Sequence, residues 1–422
     1  MSAANAKAPA PAPALWPWSL FAAMIAAAGL PIYIHAPKFY VDSYGVNLAT
    51  LGGVLALLRL IDVVQDPLFG WLAEVTRARR GAWVVWSVGV LIASMVGLFA
   101  TSPPVAPLLW FAITLTGLFS AFSFLTILFY AQGVELAAQL GDRGHLRLAG
   151  WRETGSLIGV SMAAVAPVAL GAVFDAPFVG FAVGFAILAL VATFAMRRAW
   201  RVGFAISTAP SGSLFAVFRP ALADPTARRL LLLALINAAP VAVTSTLFLF
   251  YVESRLGLPD AAGAYLLVFF LSAAITAPIW SKAGQVYGEK RVLMAGMSLA
   301  IVSFLWAYGL GTGQWLAFGL ISAASGAALG ADMVLLPAIF ARRLAYLGNE
   351  GAGFGLWSFV SKLSLALAAA TLLPALQWAG FTSGGENSPA VLGILSLLYA
   401  AVPCALKAIA LLLLTFIPFE KA

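Results

Sequence analysis

Residues 48–81 read LATLGGVLALLRLIDVVQDPLFGWLAEVTRARRG. As far as position 73 the run is long enough to cross a hydrocarbon core, which takes roughly 20 mostly apolar residues. It ends in a short basic loop holding Arg77, Arg79 and Arg80, the charge that collects on the inner side of a membrane. Yet the apolar run itself carries Arg59, Asp62 and Asp66. A charge facing lipid at a helix centre costs about 2.5–3.5 kcal/mol on insertion scales, so these three must turn inward, paired or lining a wet cavity. Their spacing of i, i+3 and i+7 confines them to an arc of about 60° and a rise of about 10 Å on one helix face. Pro67 cannot donate to the carbonyl of Val63, which favours a kink and leaves a free acceptor beside the carboxylates.

Two carboxylates one turn apart in a low dielectric resist joint ionisation. They share a proton, or a small hard cation such as Na⁺ bridges them. Arg59 offsets part of the negative charge. A site whose net charge changes on loading is what cation coupling requires.

Outward from this segment the same pattern repeats. The chain has 422 residues, 62% hydrophobic and 9% charged, against roughly 45–50% and about 25% in a soluble domain. Lipid must be its solvent. Long continuous apolar runs exclude a barrel, whose segments alternate over roughly ten residues. Spans fall at 15–36, 48–73, 83–101, 106–136, 151–172, 177–196, 230–252, 261–282, 291–311, 314–340, 352–379 and 389–417. Outside the spans, nearly every Lys and Arg lies on one side, from Lys7 to Lys421, leaving Lys38 and Arg255 on the other. That places both termini in the cytoplasm and the protein in the cell (inner) membrane. The net charge of +8 is therefore topological and implies no nucleic acid. The partners expected are a small solute and the bilayer, with the protein monomeric. A single cysteine, Cys404, excludes an intrachain disulfide, and two histidines, His35 and His145, argue against a His-based metal site. No cofactor is expected beyond a coupling ion, Na⁺ or H⁺, and no metal beyond Na⁺ at Asp62 and Asp66.

The organisation reads as a tail over 1–14, with no cleavable signal, then a six-helix bundle over 15–196. A cytoplasmic loop follows over 197–229, then a second six-helix bundle over 230–417 and a tail over 418–422. The segments GWLAEVTRARRG (70–81) and WSKAGQVYGEKR (280–291) follow the second span of each half and are both short, basic and glycine-bearing. This points to a two-fold repeat whose halves rock about a midplane site. At about 1.5 Å per residue, Asp62, Asp332, Lys362 and Lys407 all lie about 13–18 Å from the inner helix ends. Lys362 is placed to compete with the coupling cation or to bind a hydroxyl-rich solute. Asp332 and Lys407 read better as a structural ion pair. Arg152, with Glu135, flanks the inner ends of its spans. Tyr33, Gln132, Asn237 and Trp357 are candidate solute contacts, though each suits ordinary helix packing better. Glu74, Arg77 and Arg80 form a candidate inner gate.

The stretch RLIDVVQDPLFGWLAEVTRARRG (59–81) resembles the second-span signature of the glycoside–pentoside–hexuronide:cation symporter family of the major facilitator superfamily. The pattern R-x-x-D-x-x-x-D-P-x-x-G is matched at Arg59, Asp62, Asp66, Pro67 and Gly70. The segment GFGLWSFVSKL (353–363) resembles the family's eleventh span and places its lysine at Lys362. The resemblance implies an all-α major facilitator fold of about twelve helices and symport of a sugar or glycoside with Na⁺ or H⁺. It implies cation ligation by Asp62 and Asp66, with Arg59 and Lys362 nearby and Arg152 close to the sugar. Two features depart from the family. Where an acidic sugar contact is expected in the fourth span, this chain reads SFLTILFYAQG (123–133), with Thr126 near the place. The acidic pair at the end of the tenth span is replaced by LLPAIFARRLAY (335–346).

A carrier of lysolipids or other amphiphiles on the same fold is the alternative. An integral membrane enzyme would need a nucleophile–base pair or metal cluster, and no HExxH or GxSxG motif occurs. Opposite charges dispersed at one depth argue against a channel ring.

Overall fold

The computed structural model describes residues 14–141, 143–201, 214–382 and 385–417. Among them every regular element is helical, as a lipid-embedded backbone requires, because a helix satisfies its own N–H and C=O groups. The helices are α1 (Trp16–Ala27), α2 (Leu30–Tyr44), α3 (Leu48–Val75), α4 (Arg80–Phe99), α5 (Pro107–Ala138), α6 (Gly144–Gly171) and α7 (Pro177–Met196). There follow α8 (Leu214–Ala223), α9 (Pro225–Phe250), α10 (Ala262–Tyr287), α11 (Glu289–Leu305), α12 (Trp315–Leu347), α13 (Glu350–Trp378), α14 (Pro389–Ser396) and α15 (Val402–Phe416).

Among the described residues, ten helical stretches are long and apolar enough to cross a membrane. The other two expected spans are α3, 28 residues long, and the α1–α2 pair. The first span is thus broken. α1 stops at Ala27, Gly29 leaves helical geometry at ψ −117°, and Pro31 cannot donate back to Ala27. The last span is also irregular. A π-turn at Leu397–Ala401 separates α14 from α15, just ahead of Pro403, whose missing N–H leaves the carbonyl of Tyr399 without its usual partner. The stretch 197–229, expected as a loop, contains α8 and the first turn of α9. Asp224 caps α9 by accepting from the Ala227 amide at 2.7 Å. The tails at 1–13 and 418–422 and the loop core at 202–213 lie outside the described residues.

The two halves, α1–α7 and α9–α15, pack by one scheme. In the first half α1 lies on α6, α4 on α5 and α7, and α3 on α5. In the second, α9 lies on α13, α11 on α12 and α15, and α10 on α12. Replacing each helix by its counterpart turns one set into the other. The halves meet by the same rule, α3 against α13 and α6 against α10. α8 sits across the junction, with Val217 and Phe218 packed on Ala352, Trp71 and Leu356. Asn349 donates to the carbonyl of Val217.

Small residues set how closely the halves approach. A Cβ on Gly355 would lie 2.7 Å from the Gly70 Cα and 2.9 Å from the Asp66 carbonyl oxygen, so α3 and α13 cross backbone on backbone. A Cβ on Gly150 would fall 2.7 Å from the Ser281 hydroxyl, and that hydroxyl donates to the Leu146 carbonyl at 2.8 Å. These cross-half contacts run from the middle of the spans to the end bearing the basic loops. That end is closed.

Candidate functional site

Asp62 and Asp66 stand one turn apart on α3, and both are buried, Asp66 completely. The face they share meets α5 of the same half and α13 of the other. Lys362, from α13, donates to Asp62 Oδ1 at 2.7 Å, to Asp66 Oδ1 at 2.9 Å and to Ser123 Oγ at 3.2 Å. Ser123 donates in turn to Asp66 Oδ1. Ser358, one turn before Lys362, donates to Asp66 Oδ2 at 2.5 Å. Gln65 Nε2 donates to Asp62 Oδ1 at 2.9 Å while its carbonyl accepts from Ser120 at 2.9 Å. Both carboxylates are thus held by donors from three helices. Their positions follow from helical spacing: Asp62 and Asp66 at i, i+4, Ser358 and Lys362 at i, i+4, and Ser120 and Ser123 at i, i+3.

This cluster is rich in hard oxygens, with the Lys362 ammonium seated between the carboxylates. With both aspartates ionised and the lysine charged, the three residues carry one net negative charge. A proton or Na⁺ added there neutralises them. Among the described residues no group of three or more His, Cys, Asp and Glu is placed to hold a metal ion, so the oxygens available to a cation come from two carboxylates and neighbouring hydroxyl and amide groups. The side chains of Arg59 and Tyr33 lie outside the described residues.

Two turns further along α3 lies a second polar layer. Glu74, buried, accepts from the amides of Gly351 and Ala352, the latter at 3.4 Å. It thereby caps the start of α13, where orphan N–H groups and the positive end of the helix dipole favour a carboxylate. Arg77 pairs with Glu135 at 2.7 Å and with Glu350 at 3.2 Å, and stands 3.9 Å from Glu74. Arg80, 1% exposed, donates to Gln132 at 3.1 Å and reaches Glu135 at 3.5 Å. The expected gate residues Glu74, Arg77 and Arg80 therefore come together, and Glu135 and Glu350 join them.

Several residues read as solute contacts sit elsewhere. Gln132 belongs to the second polar layer, accepting from Arg80 and donating to the Ala199 carbonyl at 3.0 Å. Thr126 spends its hydroxyl on the Phe122 carbonyl at 2.8 Å. Asn237 accepts from Lys407 at 2.7 Å, and Lys407 also bonds Asp332. Trp357 stacks on Phe340 with ring centroids 5.0 Å apart. Arg152 is buried, bonds Glu153 through Nε at 2.6 Å and lies 3.8 Å over the Tyr130 ring, with its Nη2 making no hydrogen bond among the described residues. The Tyr130 ring meets Phe354 of α13 edge-on at 5.0 Å, so Arg152 abuts the same interface as Lys362. Sequence reasoning passed over Gln65, Ser120, Ser123 and Ser358. Their signal was spacing alone, each falling on the helical face of a charge or of another hydroxyl.

The family model described as MFS/sugar transport protein matches residues 19–421. The chain is 25% identical over 285 residues to the inner membrane symporter YicJ of Escherichia coli (strain K12), a match covering 64% of this chain and 62% of that one. It is 22% identical over 286 residues to an uncharacterized symporter, YjmB, of Bacillus subtilis (strain 168), covering 64% and 61%. The matches thus span somewhat less than two thirds of these relatives. Among solved structures, an E. coli fucose:proton symporter, FucP, superposes with a TM-score of 0.70 at 13% identity, covering 96% of this chain and 98% of that one. A bacterial homologue of the iron transporter ferroportin, in an outward-facing state, gives a TM-score of 0.69 at 14% identity over 96% and 99%. At such identities the likeness is one of fold.

Proposed function

The chain belongs to the MFS/sugar transport protein family, and from that premise we propose that it is a cation-coupled symporter of a sugar or glycoside, working by alternating access. The observation that carries this reading is the clamp of Lys362, from the second half, on Asp62 and Asp66 of the first. Separating the halves at the basic end breaks that clamp and strips buried carboxylates of their partner, which is costly in a low dielectric. A coupling cation on the aspartates replaces the lost positive charge. Binding of H⁺ or Na⁺ and movement of the halves are therefore linked through one cluster, and the linkage is reciprocal.

We read the end bearing the basic loops as cytoplasmic, with both termini on that side, and the conformation described here, its halves joined at that end, as outward-facing. Glu74, Arg77 and Arg80 lock that end, and the lock must open before solute and cation leave. Arg152, with an uncommitted guanidinium nitrogen, is positioned to meet solute hydroxyls. The protein acts as a monomer in the inner membrane.

A thermal-shift screen of the purified protein tests the reading, with glycosides, pentosides, uronates and lysolipids each tried with and without Na⁺ and at two pH values. Ligand at about 100 times its dissociation constant stabilises by about 2.7 kcal/mol. A sugar that stabilises only with Na⁺, or only at one pH, is the expected result and names the ion. Stabilisation by lysolipids alone would overturn the substrate class.

A further inference from the structure

The second half holds a polar cluster that the symport reading does not use. Asp332 of α12 and Lys407 of α15 bond each other, and Asn237 of α9 accepts from the same ammonium at 2.7 Å. All three are buried, Asp332 at 8% exposure. Asp332 uses one oxygen on the lysine, while its Oδ1 receives no hydrogen bond from the described residues. A buried carboxylate oxygen without a donor is costly unless something else supplies one.

Asp332 and Lys407 both line a small cleft of about 60 Å³, formed by α9, α10, α11, α12 and α15. That is room for a few waters or one compact organic group. Phe269, Phe304 and Leu329 supply an apolar wall. Apart from the Lys407 ammonium, which donates to Asn237 and Asp332, the polar points are acceptors. Thr244 and Ser325 line the cleft and donate their protons to backbone carbonyls of their own helices, leaving oxygen lone pairs. Pro240, also in the lining, cannot donate to the Ile236 carbonyl. The π-turn at Leu397–Ala401 directly precedes Pro403 and Cys404 in the lining. Irregular backbone at membrane depth is tolerated where it lines a cavity or is buried in protein, and π-turns concentrate at functional sites.

We propose that this cleft is a second binding site, for a compact apolar molecule carrying a neutral hydroxyl group. The hydroxyl supplies the donor that Asp332 Oδ1 lacks among the described residues, and the apolar body fills the aromatic side. Neutrality follows from the Asp332–Lys407 pair, which is already balanced. An ammonium or carboxylate on the ligand would bring an uncompensated charge into low dielectric. The site stands apart from the α3–α13 cluster, because no residue of α3, α5 or α13 lines it. Its failure would leave the symport reading intact.

Cys404, the chain's single cysteine, lines the cleft and reports on it. The full chain in nanodiscs is treated with methyl methanethiosulfonate in the presence of benzyl alcohol, benzylamine or benzoate. Binding of labelled benzyl alcohol is followed in parallel by equilibrium dialysis, which does not depend on thiol reactivity. Protection follows occupancy, so benzyl alcohol at about ten times its dissociation constant slows Cys404 modification about tenfold. Benzylamine and benzoate leave the rate unchanged. Thr244→Trp, and independently Ser325→Phe, fill the cleft and remove both the protection and the saturable binding. Equal protection by all three probes, no saturable binding of the alcohol, or binding that survives in a folded filled variant would each overturn the proposal.

Discussion

The α3–α13 and α6–α10 crossings occupy equivalent places in the two-fold arrangement, yet they are built from different chemistry. The first carries two aspartates, a lysine and, toward the basic end, a carboxylate cap and an arginine-centred network. The second closes on Gly150, Leu146, Ser281 and Gly284, joined by one hydroxyl-to-carbonyl bond. Both bring helices into close contact at the same end. On the proposed reading, only one changes its net charge on loading a cation. A symmetric scaffold can thus place its ion dependence on one seam and use the other as a fitted hinge surface.

The comparison can be broken on either seam, the largest effect being expected at Asp66. Asp66→Asn should reduce uphill accumulation in proteoliposomes by about 10- to 100-fold, the span of ordinary coupling free energies, while a melting curve still reports a folded protein. Ser281→Ala on the opposite seam should remove one hydrogen bond, worth about 1 kcal/mol, and leave the ion dependence of uptake unaltered. An altered ion dependence there would end the division of labour. Lys362→Ala should tighten the apparent affinity for the coupling cation about tenfold, equivalent to about 1.4 kcal/mol, since it removes a tethered competitor. Unchanged cation affinity would return this lysine to a purely structural role.

Gly355→Leu and Gly150→Leu sharpen the steric side. Each forces side-chain carbon into the partner helix, at a cost of about 1–3 kcal/mol for overpacking. Both should shift the protein toward opening at the basic end, read as faster alkylation of cysteines introduced near Gly351 or Ser281. The smallest effect concerns Asp224, outside the spans. Hydrogen bonds from Arg343, at 3.0 and 2.5 Å, hold its carboxyl below the usual range, aided by the Ala227 amide and opposed by burial. A depressed carboxyl stabilises the fold above its unfolded value of about 3.9, and that contribution is lost as the pH falls through the folded one. Asp224→Asn should lower the melting temperature at pH 7, and the difference from the parent should close on acidification.

The spans themselves were legible because lipid enforces long apolar runs, and each stretch marked in the sequence is helical along most of its length. Breaks in the spans were not. Pro31 and Pro403 sit in apolar runs like the prolines of α3, α9 and α12, which stay helical, so proline alone does not mark where a helix gives way. α8 was hidden because ten residues make a weak periodic signal within a stretch rich in Pro, Ser and Gly. In the site, charge was the readable feature: an aspartate in a span has few inexpensive places to go. The serines around Asp66 were unreadable for the opposite reason, since a hydroxyl is also content bonded to its own helix, as Thr126 is. Gln132 was ambiguous because an amide suits a sugar and an arginine equally, and only the packing of α5 shows that it faces Arg80.

The central claim is that Asp62 and Asp66, clamped by Lys362, are where the coupling cation binds. Melting curves of the purified, solute-free protein as a function of Na⁺ and of pH test this directly, comparing the parent with Asp62→Asn/Asp66→Asn. Na⁺, or acidification within the neutral range, should stabilise the parent, and the double variant should lose that response. A double variant that keeps the parent's full cation-dependent shift would contradict it.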